Sequence, residues 1–255
     1  MNAVNATEDL MLKRLQGAIE QAQLTERPVF ALTAEPAPSS RFPTLFAGKD
    51  NPLVRTFDHP RALRRAGFDL EHDGNSRIVR GELRRALIQG FHVLELWRDG
   101  TLIYAVDATV QPCWGNSASN GQLRVNPLAL TEPVYLFAEL SRLVYEQSTV
   151  KPESVTYRVF FYRLTLNGRH AKLSEGPLHP TETEKEPACE APDSEMAIAV
   201  TWVGNNIDPA AVAYELLQEI YHWFGISDDG IPYTKRRSDG TTVIDSEELI
   251  KAGNS

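Results

Sequence analysis

Eight arginines are concentrated in the first half of the chain, and no lysine lies among them: Arg55, Arg61, Arg64, Arg65, Arg77, Arg80, Arg84 and Arg85. The planar guanidinium group donates paired hydrogen bonds to phosphate or carboxylate. If residues 77–88 form one strand, Arg80 and Arg84 lie on the same face. The candidate anion-binding residues are therefore Arg77, Arg80, Arg84 and Arg85, together with Trp114, which begins a polar loop and can stack on a base.

The same arginines also fit a structural interpretation. Acidic residues are interspersed with them, namely Asp58, Asp69, Glu71, Asp73 and Glu82. Charge runs are usually solvated, and ion-pair networks on protein surfaces are common. The structural interpretation is favoured, and anion binding stays open as the alternative.

No other pattern in the sequence indicates catalysis. The chain lacks the GxSxG, GxxxxGK, GxGxxG and HExxH motifs, and its six histidines show no metal-ligand spacing. Two cysteines, Cys113 and Cys189, make neither a disulfide framework nor a metal site. The sequence therefore predicts a protein without metal or cofactor and favours a function other than catalysis.

Glu95 and Asp107 are a candidate pair of metal-binding carboxylates, because they fall on neighbouring predicted strands. Metal-assisted phosphodiester cleavage needs acidic groups that converge on one face, often beside a lysine. The predicted strand register puts the two carboxylates on opposite faces, and no lysine occurs between residues 51 and 150. A nuclease site is disfavoured.

The strongest structural signal is the hairpin FHVLELWRDGTLIYAVD, residues 91–107, with Asp99-Gly100 as its predicted two-residue turn. That turn places Trp97 opposite Leu102. One face then carries Phe91, Val93, Trp97, Leu102, Tyr104 and Val106, and the other carries Leu94, Leu96, Ile103 and Ala105. Both faces are apolar, which predicts a central position in a sheet covered on both sides.

Hydrophobic periodicity and capping signals predict the remaining elements. Helices are expected at 8–24, at 132–147 with Thr131 as the cap, and at 209–224; strands are expected at 29–33, 77–88 (with a short helix as the alternative), 122–125, 154–166 and 196–203; residues 35–60 are expected to be loop. In the 196–203 strand, the small residues are expected to lie under a helix. The predicted fold class is α+β, a mostly antiparallel sheet with a central hairpin, packed by two or three helices.

The chain is expected to form a single α+β domain over 1–255. Residues 174–195 are acidic and proline-rich, which predicts a mobile excursion, and the tail 226–255 is expected to be partly ordered. The net charge of −8 and the isoelectric point near 5.3 argue against general binding of nucleic acid or anionic membranes. No apolar run reaches the roughly 20 residues of a membrane span, and the N-terminus lacks a signal-peptide core, which predicts a cytoplasmic protein.

The order of several segments resembles a known family. These segments are 61–70 (RALRRAGFDL), 76–81 (SRIVRG), 94–100 (LELWRDG), 124–130 (RVNPLAL) and the helix over 136–145. They resemble the region downstream of the Schlafen-like AlbA-type DNA-binding module in bacterial regulator-like proteins. No segment matches the module itself, so the resemblance transfers no catalytic or DNA-binding residue and implies a companion domain.

The predicted function is a non-enzymatic interaction or sensing domain of a bacterial regulatory or defence system, with a protein partner. The alternative is a phosphate- or nucleotide-handling enzyme, or a nucleic-acid-binding protein, that uses the arginine cluster.

Overall fold

The structure is a computed structural model that describes residues 3–40, 42, 52–58, 77–79, 82–87, 92–113, 121–177 and 188–253. In chain order, its elements are α1 (Ala3–Gln21), β1 (Val29–Ala37), α2 (Pro52–Asp58), β2 (Arg77–Val79), β3 (Glu82–Leu87), β4 (His92–Leu96), β5 (Leu102–Asp107), β6 (Arg124–Val125), α3 (Pro127–Glu146), β7 (Ser154–Tyr162), β8 (Thr165–Leu166), β9 (Arg169–His170), β10 (Lys172–Ser174), β11 (Ala188–Glu190), β12 (Met196–Val203), α4 (Pro209–Trp223), a 3₁₀ turn (Asp228–Gly230), β13 (Thr234–Arg236), β14 (Thr242–Ile244) and α5 (Ser246–Gly253).

Seven of the described strands form one sheet in the order β12-β7-β1-β5-β4-β3-β2, and every neighbouring pair in it is antiparallel. Alternate side chains of the central strands enter two separate apolar clusters. The larger cluster joins the sheet to α3 and α4, and the smaller one joins the opposite face to α1. The α+β fold class is thus confirmed, as are the central position of the hairpin and its two covered faces.

The hairpin turn has one residue more than predicted. Trp97 N–H donates to Thr101 C=O at 2.9 Å, and Gly100 N–H donates to Trp97 C=O at 2.9 Å, so three residues form the loop. Leu96 therefore lies opposite Leu102, whereas Trp97 was predicted at that position. The predicted faces were wrong in consequence, because Leu94, Leu96, Leu102, Tyr104 and Val106 share the larger cluster and Trp97 packs with Val93, Ile103 and Ala105 in the smaller one.

Gly100 explains the longer loop. Its φ is +92°, a conformation that side chains other than glycine rarely adopt. A Cβ atom built there would come within 2.7 Å of Ser40 Cβ and 2.8 Å of Pro36 Cγ. A single glycine with positive φ after a tight turn is typical of three-residue hairpin loops, whereas the predicted two-residue turn needs positive φ at both residues.

Helix α3 begins five residues earlier than predicted. Asn126, not Thr131, is the N-cap, and its Oδ1 accepts hydrogen bonds from the N–H groups of Leu128 and Ala129 at 2.9 and 3.2 Å. Pro127 occupies the first turn, where no hydrogen-bond donor is needed, and Pro133 lies inside the helix. Helix α4 agrees with the prediction, with Asp208 as its cap and Pro209 after it.

Several boundaries differ from the predicted ones. Helix α1 begins at Ala3 and ends at Gln21; strand β1 continues to Ala37 into the predicted loop, where α2 also lies. Within the predicted strand 77–88, residues 77–79 and 82–87 are extended, as favoured, but they form two antiparallel strands. Part of the predicted mobile excursion, 178–187, lies outside the described residues, and its 188–190 portion forms β11 beside β10. The tail carries β13, β14 and α5.

Arg14 attaches α1 to the hairpin turn. Its Nη1 donates to Asp99 Oδ2 at 2.7 Å and to Thr101 Oγ1 at 3.0 Å, and its guanidinium carbon lies 4.3 Å from the centre of the Trp97 ring. The side chain is largely buried. Charge-assisted hydrogen bonds and cation–π contacts are each strengthened by such partial desolvation.

We expect Arg14→Ala to lower the free energy of unfolding by about 1–2 kcal/mol, because it removes both hydrogen bonds and the ring contact. Urea denaturation measures this loss. Lys13→Ala, at an exposed position on the same helix, is the matched control and should change stability by less than about 0.5 kcal/mol. Equal losses in the two variants would show that Arg14 acts only as a generic helix residue.

Candidate functional site

Of the predicted anion-binding residues, the structure describes the backbone of Arg77, Arg84 and Arg85, which lie on neighbouring strands. Register pairs Arg77 with Arg84, Arg84 with Glu95 and Arg85 with Leu94. The side chains of these three arginines lie outside the described residues, as do Arg80 and Trp114 entirely. Because β2 and β3 are separate strands, the single-strand spacing that put Arg80 and Arg84 on one face does not apply. Anion binding stays a prediction.

Glu95 and Asp107 share the α1 face of the sheet, contrary to the predicted opposite faces. Glu95 is paired with Ile103, and Asp107 lies four residues further along the same strand, about 13 Å away at the usual rise. Each carboxylate has its own partner. Trp97 Nε1 donates to Glu95 at 3.2 Å, and Arg27 Nη1 donates to Asp107 at 2.6 Å. This separation does not support a shared metal between them.

Several buried polar side chains lie near one another on the side of the sheet that α3 covers. Tyr104 Oη donates to Gln111 Oε1 at 2.7 Å, and the His92 ring stacks on Tyr104 with 6.1 Å between ring centres. Burial raises the pKa of Tyr104, and the negative charge of Glu132 adds to this effect. Burial also raises the pKa of the Cys113 thiol, and the negative charge of Asp107 adds to it. Burial lowers the pKa of His92 to about 4. The phenol and thiol are therefore protonated near neutral pH, so neither supplies an anionic nucleophile.

A polar cleft of about 410 Å³ lies near the C-terminal hairpin, lined by Tyr214, Asp228, Asp229, Thr234, Lys235, Arg236 and Thr242. His222 Nε2 and Gln218 Nε2 contact the two oxygens of Asp228 at 2.7 and 2.8 Å, all on exposed side chains. Two acids and two bases line the cleft, so it has no dominant charge. Within the part of the chain that the structure describes, no cluster of three metal-ligating side chains occurs.

Strand β12 is the outer strand at one end of the seven-stranded sheet, and only β7 pairs with it among the described strands. Its eight residues, MAIAVTWV, contain no charge, proline or glycine. Natural edge strands usually carry such residues, or are short or bulged, because an open edge invites pairing with another chain. The register with β7 is continuous over all eight residues, so no bulge interrupts it.

The two faces of β12 are reversed relative to the prediction. The large residues Ile198, Val200 and Trp202 are partly buried and pack against the larger cluster, where α4 lies over the strand. The small residues Ala197, Ala199, Thr201 and Val203 are exposed, with Val203 77% accessible. They were expected to lie under a helix. Large side chains bury more apolar area, which explains why they take the helix-covered face.

The backbone of the same small residues points away from the sheet. Gly204 N–H donates to Glu153 C=O at 2.8 Å, which extends the Val203–Ser154 register by one hydrogen-bonded pair. In an antiparallel ladder, hydrogen-bonded pairs alternate with pairs that direct their N–H and C=O outward. The even-numbered residues of β12 therefore bond to β7, and Ala197, Ala199, Thr201 and Val203 present four N–H and four C=O groups at the edge.

The opposite end of the sheet differs in each of these respects. There the outer strand β2 spans three residues and begins with Arg77, next to the arginine-containing β3. A short, charged edge is a poor template for strand addition. Among the described strands, β12 is therefore the edge better suited to strand addition.

The strand 196–203 was predicted with its correct boundaries, but its outer position in the sheet was not predicted. The available signal was the absence of charge over eight residues with strict alternation of large and small side chains. An internal strand shows the same pattern, because its neighbours cover the backbone. Only the sheet order distinguishes the two cases.

Comparisons of the chain with protein-family models, with curated proteins and with solved structures found no match. No helix within the described ranges combines the length and apolar character required to cross a membrane.

Proposed function

We propose that this chain is a non-enzymatic protein-interaction domain that binds an extended segment of a partner along the outer edge of β12. The observation that carries the proposal is an eight-residue, charge-free edge strand whose outward backbone groups have no partner strand among the described residues. Strand addition uses main-chain hydrogen bonds for affinity and alternate side chains for specificity.

The chemistry of the edge defines the partner. It must supply an extended strand with free N–H and C=O groups, because these complement the four outward residues of β12. On the open face it meets Ala197, Ala199 and Thr201, which are small and exposed and so set little limit on the size of the partner's side chains there. On the other face it meets Ile198 and Trp202, where apolar side chains extend the existing core.

The resemblance to a region that accompanies a DNA-binding module supports placing this domain in a bacterial regulatory or defence complex in the cytoplasm. Burial raises the pKa of Tyr104 and of Cys113, so neither group supports the alternative of an enzyme that uses one of them as an anionic nucleophile.

Affinity purification from the native host tests the proposal. We expect a stoichiometric partner protein to co-purify with the wild-type chain and to be reduced at least about tenfold with the double variant Ala199→Lys/Thr201→Lys, because charges on an edge disfavour pairing. Both side chains are exposed, so the melting temperature should stay within a few degrees.

The matched control is Leu12→Lys/Val110→Lys, which introduces the same two charges at exposed apolar positions away from β12. It should retain the partner. Partner binding that is equal in the two double variants would contradict the proposal. So would a stoichiometric nucleotide that the wild-type chain turns over in the absence of any protein partner.

A further inference from the structure

We infer that the segment that pairs with β12 is the β12 strand of a second copy, in an antiparallel arrangement that joins two sheets into one. This inference rests on the proposed function, because it names the partner of the same edge. A two-fold interface must be self-complementary, since each contact between two residues occurs twice, once in each direction across the symmetry axis.

The side chains of β12 are self-complementary in this sense. Antiparallel pairing about an axis perpendicular to the sheet keeps each face on its own side. About Ala199, the open face then pairs Ala197 with Thr201 of the other copy, and the helix-covered face pairs Ile198 with Val200. About Val200, the open face pairs Ala199 with Thr201 and the other face pairs Ile198 with Trp202. In both registers small residues meet small ones and large residues meet large ones.

The charges flanking β12 favour the antiparallel direction. The Met196 end is preceded by the exposed acids Asp193 and Glu195, whereas the Val203 end is followed by the exposed amides Asn205 and Asn206. Parallel pairing would bring the acids of one copy against those of the other. Antiparallel pairing brings the acids against the amide end, and the strand itself adds no like-charge contact.

The purified wild-type chain provides the first test. Light scattering after gel filtration should show a concentration-dependent shift from 28.5 kDa to twice that mass. Ala199→Lys/Thr201→Lys and Ala199→Glu/Thr201→Glu should each dimerise at least about tenfold more weakly, because like charges then lie opposite one another.

Mixing the lysine and glutamate variants is the decisive step. About Val200, both lysines of one copy lie opposite glutamates of the other. About Ala199, the two residues at position 199 form one such pair. In either register a mixed dimer should therefore form where neither variant pairs alone. The double control Leu12→Lys/Val110→Lys should dimerise like the wild type.

A wild-type chain that stays monomeric at every concentration would overturn the inference, as would a dimer that both charged variants leave intact. If the chain is monomeric but still captures another protein through β12, the proposed function stands and the second copy is excluded as its partner. If neither self-association nor capture depends on β12, both fail.

Discussion

Val200→Pro should destabilise the protein by roughly 3 kcal/mol or more, whereas Ala199→Pro, one residue away, should cost less than about 1 kcal/mol. Val200 N–H points to β7, where the residue is paired with Tyr157, so proline removes a ladder hydrogen bond there. Val200 also loses its partly buried side chain from the larger cluster. Ala199 N–H points outward, and proline is tolerated at such edge positions.

Urea denaturation of the two variants measures this difference. The Ala199→Pro variant should keep the far-ultraviolet circular dichroism of the wild type while losing its ability to pair through β12, because one outward donor is gone and the ring obstructs an approaching strand. If both variants unfold equally, the assignment of alternating inward and outward residues on β12 is wrong. If Ala199→Pro folds and still pairs, the edge is not the binding element.

The free energy of unfolding should fall as the pH is lowered from about 6.5 to about 4, because His92 is buried as a neutral ring. Its Nδ1 is buried without a hydrogen-bond partner among the described residues, and burial lowers the pKa from 6.5 to about 4 against a smaller opposing effect of Asp107. The His92 ring is therefore protonated near pH 6.5 in the unfolded chain but only near pH 4 in the folded chain. The full stabilising effect of the neutral ring is present above pH 6.5 and is lost as the pH falls to 4.

The expected loss is roughly 2–3 kcal/mol, which allows for the partial exposure of the ring. Urea denaturation at several pH values should show this loss in the wild type but not in His92→Phe. Carboxylates whose pKa is lowered by hydrogen bonds, such as Asp208 and Asp245, also weaken the fold in acid, but they do so in both proteins. The difference between wild type and variant is therefore the quantity to compare. A difference that does not change with pH would contradict the assignment.

Local signals predicted much of the fold. The Asp208-Pro209 pair marks the start of α4, and the large–small alternation over 196–203 marks β12, because both patterns act through neighbours within a few residues. The central, doubly covered hairpin was recognisable because both of its faces are apolar.

Other features depend on contacts far along the chain. Gly100 adopts its turn against Pro36 and Ser40, which no local pattern of the hairpin contains. The start of α3 was misplaced because Asn126-Pro127 is equally compatible with the end of a strand and with a cap. The outer position of β12 follows from sheet order, which pairs β7 with β1 across more than a hundred residues.

Amide hydrogen exchange resolved along β12 tests the central claim most directly. In the lone chain, the N–H groups of Ala197, Ala199, Thr201 and Val203 should exchange quickly, and those of Ile198, Val200 and Trp202 slowly. In the assembled state, with a second copy or another partner, the four outward groups should become protected while the inward groups change little. Rapid exchange of the outward groups in the assembled state would contradict strand addition at β12.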